Sequence, residues 1–270
     1  MLDQGYWPDG IYTAPTDEAL RSDIELMRRL GFNMCRKHVK IEPERWYYWC
    51  DKLGLLVWQD MPSAGGFPAP VRNDESNRQS EVARQFAEEL RQMVGQNINH
   101  PSIVMWIAFN EGWGQHDTLL TEKMIKQLDP TRLVVGASGW NDKGRGDVLS
   151  LHRYPGPALP AVWDDRAIVC GECGGLGLPV SGHLLADARA WSYTRFQIKE
   201  ELQYAYSNLL DRILSGQQSG LSGAVITQLT DVETEDNGLV TYDRAVVKLD
   251  TASRNLKLAG RPLYAAPSSP

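Results

Sequence analysis

The sequence predicts an α/β fold, a closed (β/α)8 TIM barrel, on three observations. Short apolar runs alternate with longer amphipathic segments along the chain, which is the pattern of βαβ units that form a parallel sheet. Eight such runs are present, and eight strands favour a closed barrel over an open sheet. The length of 270 residues with 42% hydrophobic residues suits one barrel domain. We expect this single domain over residues 1–260 and a loose tail over 261–270.

The first half of the chain predicts four strands and three helices. The chain opens at Leu2, Asp3 and Gln4, which look like the last turn of a strand, so the first strand is expected to be truncated. Capping residues and helical spacing of apolar residues mark the helices, and β-rich apolar runs mark the strands. The elements expected next are a helix from Thr16 to Gly31, a strand over 32–39, a helix from Pro43 to Gly54, a strand over 55–62, a long amphipathic helix containing residues 82–94, and a strand over 103–109.

The second half predicts four more strands, with helices alternating throughout. We expect a helix over 116–128, strands over 132–138, 147–156 and 167–175, a helix from about 195 to 214, and a last strand over 223–231. The Gly- and Pro-rich segment from Ser63 to Asn73 is long enough to form a lid or a wall of a site.

Composition excludes several classes of function. The net charge is −6 with no basic run, so nucleic acid is not an expected partner. No apolar stretch is long enough to span a membrane, and the N-terminus lacks the apolar core of a signal peptide. Nine Trp and ten Tyr are many for this length and suit a site that stacks on sugar faces.

The four cysteines do not form a disulfide framework or a zinc pattern. Cys170 and Cys173 make a lone C-x-x-C, and strand alternation is expected to direct them to opposite sides. A structural role is therefore favoured over a metal or redox role. Free thiols suit a reducing compartment, so a cytoplasmic location is expected.

The most informative stretch runs from Asn99 to Asp117. An apolar run ends in Asn110 and Glu111, which would lie at the C-terminal mouth of a barrel strand, where barrel enzymes carry out chemistry. The alternative is an N-cap for the helix that follows. A Gly-Trp-Gly loop around Trp113 intervenes before that helix, and this favours a sugar-sized pocket.

Polar residues collect at the predicted C-terminal ends of the other strands as well. Taken alone, His38 or His152 is as readily a structural hydrogen-bonding residue, but the shared position is a stronger signal. Glu111 and Glu172 would face each other, and such a pair can cleave a glycosidic bond, one as proton donor and one as nucleophile, with no metal or other cofactor. The residues at strand ends are His38, Asp60, Asn110, Glu111, Ser138, His152, Tyr154, Glu172, Gln228 and Asp231.

Four segments resemble the catalytic barrel of glycoside hydrolase family 2, which includes retaining β-galactosidases, β-glucuronidases and β-mannosidases. They are GFNMCRKHVKIEPERWYYWCDKLGLLVWQDMPS, NHPSIVMWIAFNEGWG, IVCGECGGLG and GAVITQLTDVETEDNGLVTYDR. The resemblance implies Glu111 as acid/base, Asn110 as the group that holds the sugar 2-hydroxyl, and Glu172 as nucleophile. It also implies that His38 and Tyr154 contact substrate or orient the nucleophile.

The chain departs from this family at three points. Thr227 stands where members usually have a tryptophan that serves as the sugar platform. Glu235, Asp236 and Asn237 stand where β-glucuronidases have Asn-x-Lys, and acidic groups there would repel a uronic acid. Members usually carry β-sandwich domains ahead of the barrel, whereas this sequence starts inside the expected first strand, so we expect either a truncated gene or a minimal barrel that works alone. A barrel that lacks part of one strand would have an open edge, and a homo-oligomer is then expected.

The sequence therefore predicts a retaining β-glycosidase that hydrolyses terminal neutral β-glycosides of the galactoside or glucoside type. Besides the residues above, Asp60, Trp113, His152, Gln228 and Asp231 are the candidates for binding the carbohydrate. Two alternatives stay open, a non-catalytic barrel that binds carbohydrate and a barrel hydrolase that acts on activated esters.

Overall fold

The computed structural model describes residues 1–63, 80–160, 164–185 and 189–250. Of the expected loop from Ser63 to Asn73, only Ser63 falls within these ranges, and the expected tail over 261–270 lies outside them. In the described ranges, no helix is both long and apolar enough to cross a membrane.

In the part of the chain that the structure describes, eight strands build the barrel and five helices accompany them. The barrel strands are β1 (Leu2–Asp3), β2 (Met34–Lys37), β3 (Leu56–Asp60), β4 (Ile103–Asn110), β5 (Leu133–Ser138), β6 (Val148–His152), β7 (Ala167–Gly174) and β10 (Leu221–Thr227). The helices are α1 (Asp17–Arg29), α2 (Glu44–Leu53), α3 (Ser80–Asn97), α4 (Thr118–Leu128) and α5 (Lys199–Gln217). A small parallel pair that the sequence did not predict, β8 (Leu176–Gly177) and β9 (Thr194–Arg195), lies between β7 and α5.

Local signals set the helix ends where the sequence predicted them. The Thr16 hydroxyl accepts a hydrogen bond from the Ala19 backbone N–H and caps α1. Gly54 ends α2 in the left-handed conformation, with φ of 70°, which a residue without a side chain adopts freely.

The eight strands are parallel, but they form two sheets rather than one closed ladder. One sheet has the order β1-β2-β3-β4-β5 and the other β10-β7-β6. Few backbone hydrogen bonds cross the two seams. Gly139 N donates to Ser150 O and Asp147 N to Val134 O, both at 2.9 Å, between β5 and β6, and Leu229 N donates to Leu2 O at 2.9 Å between β10 and β1. The barrel architecture is as predicted, whereas the continuous ladder is not, because the two-residue β1 offers few backbone groups for pairing with β10.

The expected alternation of strands and helices fails at one side of the barrel. No helix is formed between β5 and β6, nor in the described residues between β6 and β7. The β5–β6 connection contains Gly139, Gly144 and Gly146, all with positive φ, and has no apolar repeat that could bury a helix face.

Side chains fill the inside of the barrel. An apolar set to which every barrel strand contributes, here called the lower layer, consists of Leu2, Met34, Trp58, Met105, Ile107, Val135, Val148, Val169 and Val225. A separate and larger cluster packs the outer face of the strands against the helices. Between the lower layer and the C-terminal ends of the strands, the side chains inside the barrel are polar. The lower layer therefore closes the barrel beneath these polar residues.

Candidate active site

Arg36 on β2 is the hub of the polar end of the barrel. Its guanidinium is fully buried and donates to both carboxylate oxygens of Asp60, at 3.0 and 2.9 Å. It also donates to Asn110 Oδ1 at 2.7 Å and to Glu172 Oε1 at 3.1 Å. One cation thus holds two buried carboxylates and an amide from three other strands in fixed positions.

A bulge in β7 directs Glu172 into the barrel. The register shifts there, because β6 pairs Leu151 with Cys170 but the next residue, His152, with Glu172. Gly171 is skipped and faces inward too, where a Cβ atom would clash with the hydroxyls of Ser138 and Ser150. Two consecutive residues therefore turn toward the interior.

The same bulge corrects the expectation for the two cysteines. Cys170 and Cys173 do not lie on opposite sides but pack in the same outer cluster, and their thiols interact. All four cysteines of the chain are free and buried.

The surroundings of Glu172 favour its ionised form. The Tyr154 hydroxyl donates to Glu172 Oε2 at 2.7 Å and lies 2.8 Å from the Thr227 hydroxyl. Burial by itself raises the pKa of Glu172, but His152, the Arg36 guanidinium and His38 outweigh burial, and the net pKa is lowered. The group is therefore an anion at neutral pH.

Glu111 stands opposite, on a strained backbone. Its φ is 52°, a conformation that is uncommon for a residue with a side chain, and its N–H donates to Ser138 O at 2.8 Å. A carboxylate oxygen of Glu111 and one of Glu172 lie within 4.8 Å of each other. The Glu111 side chain is 18% exposed, against 6% for Glu172, so Glu111 is the more accessible of the two.

His152 lies between the two glutamates and is itself buried. Its Nε2 is 3.3 Å from Arg36 Nη1 and 2.7 Å from the Ser138 hydroxyl. Its Nδ1 lies 2.8 Å from Glu111 Oε1, so the ring is hydrogen-bonded on both nitrogens. Among the described residues, Glu111, His152 and Glu172 are also the one set with the residue types and spacing of a metal site.

An open pocket of about 300 Å³ lies beside Glu111. Four of the predicted site residues line it, together with residues near the start of the chain that the sequence interpretation did not single out. The lining consists of Gln4, Tyr12, His38, Val39, Ser63, Asn110, Glu111 and Trp113. Its size suits one sugar ring with part of its aglycone.

Two predicted residues lie elsewhere. Gln228 belongs to a chain of amides that runs from Gln4 through Gln228 to Asn237 and ends at Glu235, with distances of 2.8, 2.8 and 2.9 Å. Asp231 pairs with Lys248 Nζ at 2.6 Å and accepts from the Gly238 backbone N–H at 2.8 Å, so its contacts lie outside the glutamate cluster.

Arg36 is the residue that sequence reasoning missed. A signal for it was present, because Met34, Arg36 and His38 are spaced by two, and alternation places them on the same face of β2. Met34 is in the lower layer and His38 lines the pocket, so a charged residue between them must face the barrel interior.

The fold and the carboxylate pair define a barrel of the glycoside hydrolase class, and the comparisons agree. The model of the TIM barrel domain of the glycosyl hydrolases family 2 matches residues 13–154. The chain belongs to this family.

Curated relatives match about half of the chain. A β-galactosidase from Aeromonas hydrophila subsp. hydrophila is 32% identical over 154 residues, which are 54% of this chain and 14% of that protein. A β-galactosidase from Yersinia pestis bv. Antiqua is 35% identical over 155 residues, 53% of this chain and 14% of that protein. The chain thus spans a small part of the length of these relatives.

Solved structures match nearly the whole chain in fold. A family 2 β-galacturonidase from Eisenbergiella tayi bound to galacturonate has a TM-score of 0.71 at 21% identity, covering 95% of this chain and 50% of that one. A β-D-glucuronidase from Dictyoglomus thermophilum has a TM-score of 0.67 at 18% identity, covering 90% of this chain and 47% of that one. At these identities the likeness concerns the fold alone.

Proposed function

We propose that the chain is the catalytic barrel of a retaining β-glycosidase that hydrolyses terminal neutral β-glycosides of the galactoside or glucoside type. The observation that carries the proposal is the spacing of Glu111 and Glu172, since one carboxylate oxygen of each lies within 4.8 Å of the other. Retaining enzymes hold their carboxyl groups about 5 to 5.5 Å apart, and inverting enzymes hold them about 6.5 to 9.5 Å apart to admit a water.

The surroundings of the two carboxylates assign their roles. Glu172 is held as an anion by Arg36 and Tyr154, which suits the nucleophile that attacks the anomeric carbon. Glu111 lines the open pocket, which suits the acid that gives its proton to the leaving oxygen as the glycosidic bond breaks. In the second step Glu111 takes a proton from water, the water oxygen bonds to the anomeric carbon, and Glu172 leaves as the carboxylate.

Asn110 is suited to hold a sugar hydroxyl. Its Oδ1 accepts from Arg36 at 2.7 Å, which orients the amide and leaves Nδ2 to donate. The side chain lies on the wall of the pocket next to Glu111. This arrangement supports the role in binding the 2-hydroxyl.

Two observations support a neutral sugar. Glu235 ends the amide chain from Gln4, and burial, only partly offset by Asn237 and Gln228, raises its pKa. Its hydrogen-bond partner Asn237 is an amide, and no cation among the described residues forms an ion pair with it, so this end of the amide chain offers a uronate carboxylate an acidic group instead of a cation. The curated relatives described above are named β-galactosidases.

Azide rescue tests both roles. In Glu172→Ala, hydrolysis of an aryl β-galactoside should be lost. Azide can enter the space left by the carboxylate and attack the anomeric carbon, so it should restore turnover and yield the α-glycosyl azide. In Glu111→Ala, a substrate with a good leaving group should still form the covalent intermediate, and azide should yield the β-azide. Glu200→Ala, at an exposed position of α5, is the matched control and should behave as the parent.

The outcome that rejects the proposal is near-parental activity of both variants. The anomer of the first-formed sugar, read by NMR, provides a second criterion, since inversion contradicts a retaining mechanism. Both tests are to be read with the fold of each variant confirmed by circular dichroism.

Thr227 at the end of β10 favours a second candidate, a barrel that binds carbohydrate without hydrolysis or acts on activated esters. Its small side chain provides no flat surface at that position. Aryl glycosides and aryl esters assayed side by side separate the candidates. Sugar binding with turnover of neither substrate would favour the binding barrel.

A further inference from the structure

An aromatic wall borders the nucleophile. The ring of Tyr193 stacks on the ring of Tyr154, with centroids 3.7 Å apart and an angle of 5° between the planes. Trp191 meets Tyr193 at 5.5 Å with an angle of 67°. Tyr193 is 49% exposed although Tyr154 and Trp191 both pack against its ring, so a substantial part of the side chain is accessible to a ligand.

The backbone holds this wall in place. Thr194 N donates to Gly175 O at 3.1 Å, and Trp191 exchanges backbone bonds of 2.8 and 2.9 Å with Thr234 and Asp236. Gly175 lies directly beneath the rings, because a Cβ atom there would be 2.9 Å from Tyr154 Cδ1. A ring on such an anchored segment loses little conformational entropy when a ligand binds.

The charges around Tyr193 show which space it borders. Burial is the largest cause that raises the pKa of its hydroxyl, and the carboxylates of Glu172, Glu111 and Glu235 follow. The geometry agrees, because the Tyr154 ring on which Tyr193 stacks carries the hydroxyl that donates to Glu172 Oε2 at 2.7 Å, so Tyr193 stands beside the proposed nucleophile.

We propose that Tyr193, flanked by Trp191, is the platform on which the apolar face of the bound sugar stacks. This inference rests on the proposed function and adds to it the surface that positions the sugar. Thr227 does not take this part, because its hydroxyl lies 2.8 Å from that of Tyr154 and helps to fix the ring under Tyr193. Tyr193 binds sugar by its ring, and its hydroxyl is dispensable.

The test separates binding from catalysis. Calorimetry measures the affinity for a non-hydrolysable β-thiogalactoside, and steady-state kinetics give KM and kcat for an aryl β-galactoside. Tyr193→Ala should weaken thiogalactoside binding and raise KM by about tenfold. Tyr193→Phe keeps the ring and should stay within about twofold of the parent.

Two further variants complete the design. Trp191→Ala removes only the flank and should weaken binding by roughly threefold. Tyr204→Ala, an exposed tyrosine on α5, is the matched control and should match the parent. Trp191→Ala also keeps the proposal testable if Tyr193→Ala does not fold.

Several outcomes would overturn the platform. If Tyr193→Ala lowers kcat and moves the acidic limb of the pH profile but leaves thiogalactoside affinity unchanged, the residue only supports Tyr154. The platform is also rejected if Tyr193→Ala and Trp191→Ala both bind the thiogalactoside with parental affinity, or if the parent binds no sugar. If the parent binds the thiogalactoside but hydrolyses no glycoside, the proposed function is overturned. The platform is then tested by the thiogalactoside affinities of the variants alone.

Discussion

The lower layer and the polar end of the same barrel are stabilised by different interactions. Along β2, Met34 belongs to the lower layer, and Arg36 two residues later belongs to the polar end; along β3, Trp58 and Asp60 repeat the pattern. Both levels are buried. The lower layer is held by close packing and apolar burial, and the polar end is held by a charge network in which each buried carboxylate has a cation or a donor.

A carboxylate outside the network shows what pairing contributes. Asp60 and Glu172 are almost completely buried, yet their pKa values are lowered, since Arg36 and the neighbouring histidines outweigh burial. Glu122 on α4 is also buried but forms no ion pair among the described residues, and burial raises its pKa to about 7. The partner, and not burial alone, decides the direction of the shift.

The largest effect is expected for Arg36→Leu, which tests the charge network because it leaves Asp60 and Glu172 buried without their cation. We expect the free energy of unfolding at pH 7 to fall by about 3 to 5 kcal/mol. Glycosidase turnover should fall by more than about a hundredfold, because the charge of the nucleophile is no longer supported. Urea denaturation at pH 7 and pH 5 and initial rates with an aryl β-galactoside measure both effects.

The sign of the pH effect follows from linkage. In the parent, the lowered pKa values of Asp60 and Glu172 contribute stability that is present above their unfolded pKa values and lost as pH falls through the folded ones. In Arg36→Leu, burial is no longer offset by the guanidinium, so the folded-state pKa values of both carboxyl groups rise. The variant then becomes more stable as pH falls from 7, whereas the parent keeps its contribution at pH 5, so the gap between parent and variant should narrow toward pH 5. Arg21→Leu, which removes an exposed ion pair with Glu25, is the control and should cost under about 1 kcal/mol. Equal losses in the two variants would contradict the network.

The lower layer is tested by Met105→Ala. The side chain is 2% exposed, and its removal leaves a cavity, so the free energy of unfolding should fall by about 2 to 5 kcal/mol. Because the carboxylates keep their partners, KM and kcat per folded molecule should stay near parental values. Met124→Ala, a partly buried methionine at the edge of the outer cluster, should be less destabilising. A tenfold loss of kcat in folded Met105→Ala would show that the two levels are coupled.

The smallest effect is expected for Glu122→Gln. A folded-state pKa of about 7, raised above its usual value of 4.5, means that the stability contributed by Glu122 is full below about pH 4.5 and is lost as pH rises through 7. The neutral glutamine avoids this loss. The variant should therefore gain roughly 1 kcal/mol on the parent between pH 5 and pH 8, as measured by urea denaturation. The control variant Glu89→Gln, at an exposed position of α3, should show no such gain. Equal gains in Glu122→Gln and Glu89→Gln would contradict the role of burial.

Much of the fold could be predicted from the sequence, because its signals are local. The Thr16 cap, the Gly54 stop and the apolar run that ends at Glu111 each depend on a few neighbouring residues, and the elements formed where these signals lie. The positions of Glu111 and Glu172 at the C-terminal ends of their strands likewise predicted that both lie at the same mouth of the barrel.

Only the tertiary structure decided which polar groups meet. Arg36 joins Asp60 and Glu172, which are 24 and 136 positions away in the sequence, and the second contact depends on a bulge that skips Gly171. No local pattern specifies a register shift of one residue or the interruption of the ladder between β5 and β6 and between β10 and β1. The sequence by itself determined where strands end and which residue types stand there. Strand register determined their partners, because hydrogen bonds and ion pairs act only over a few ångströms.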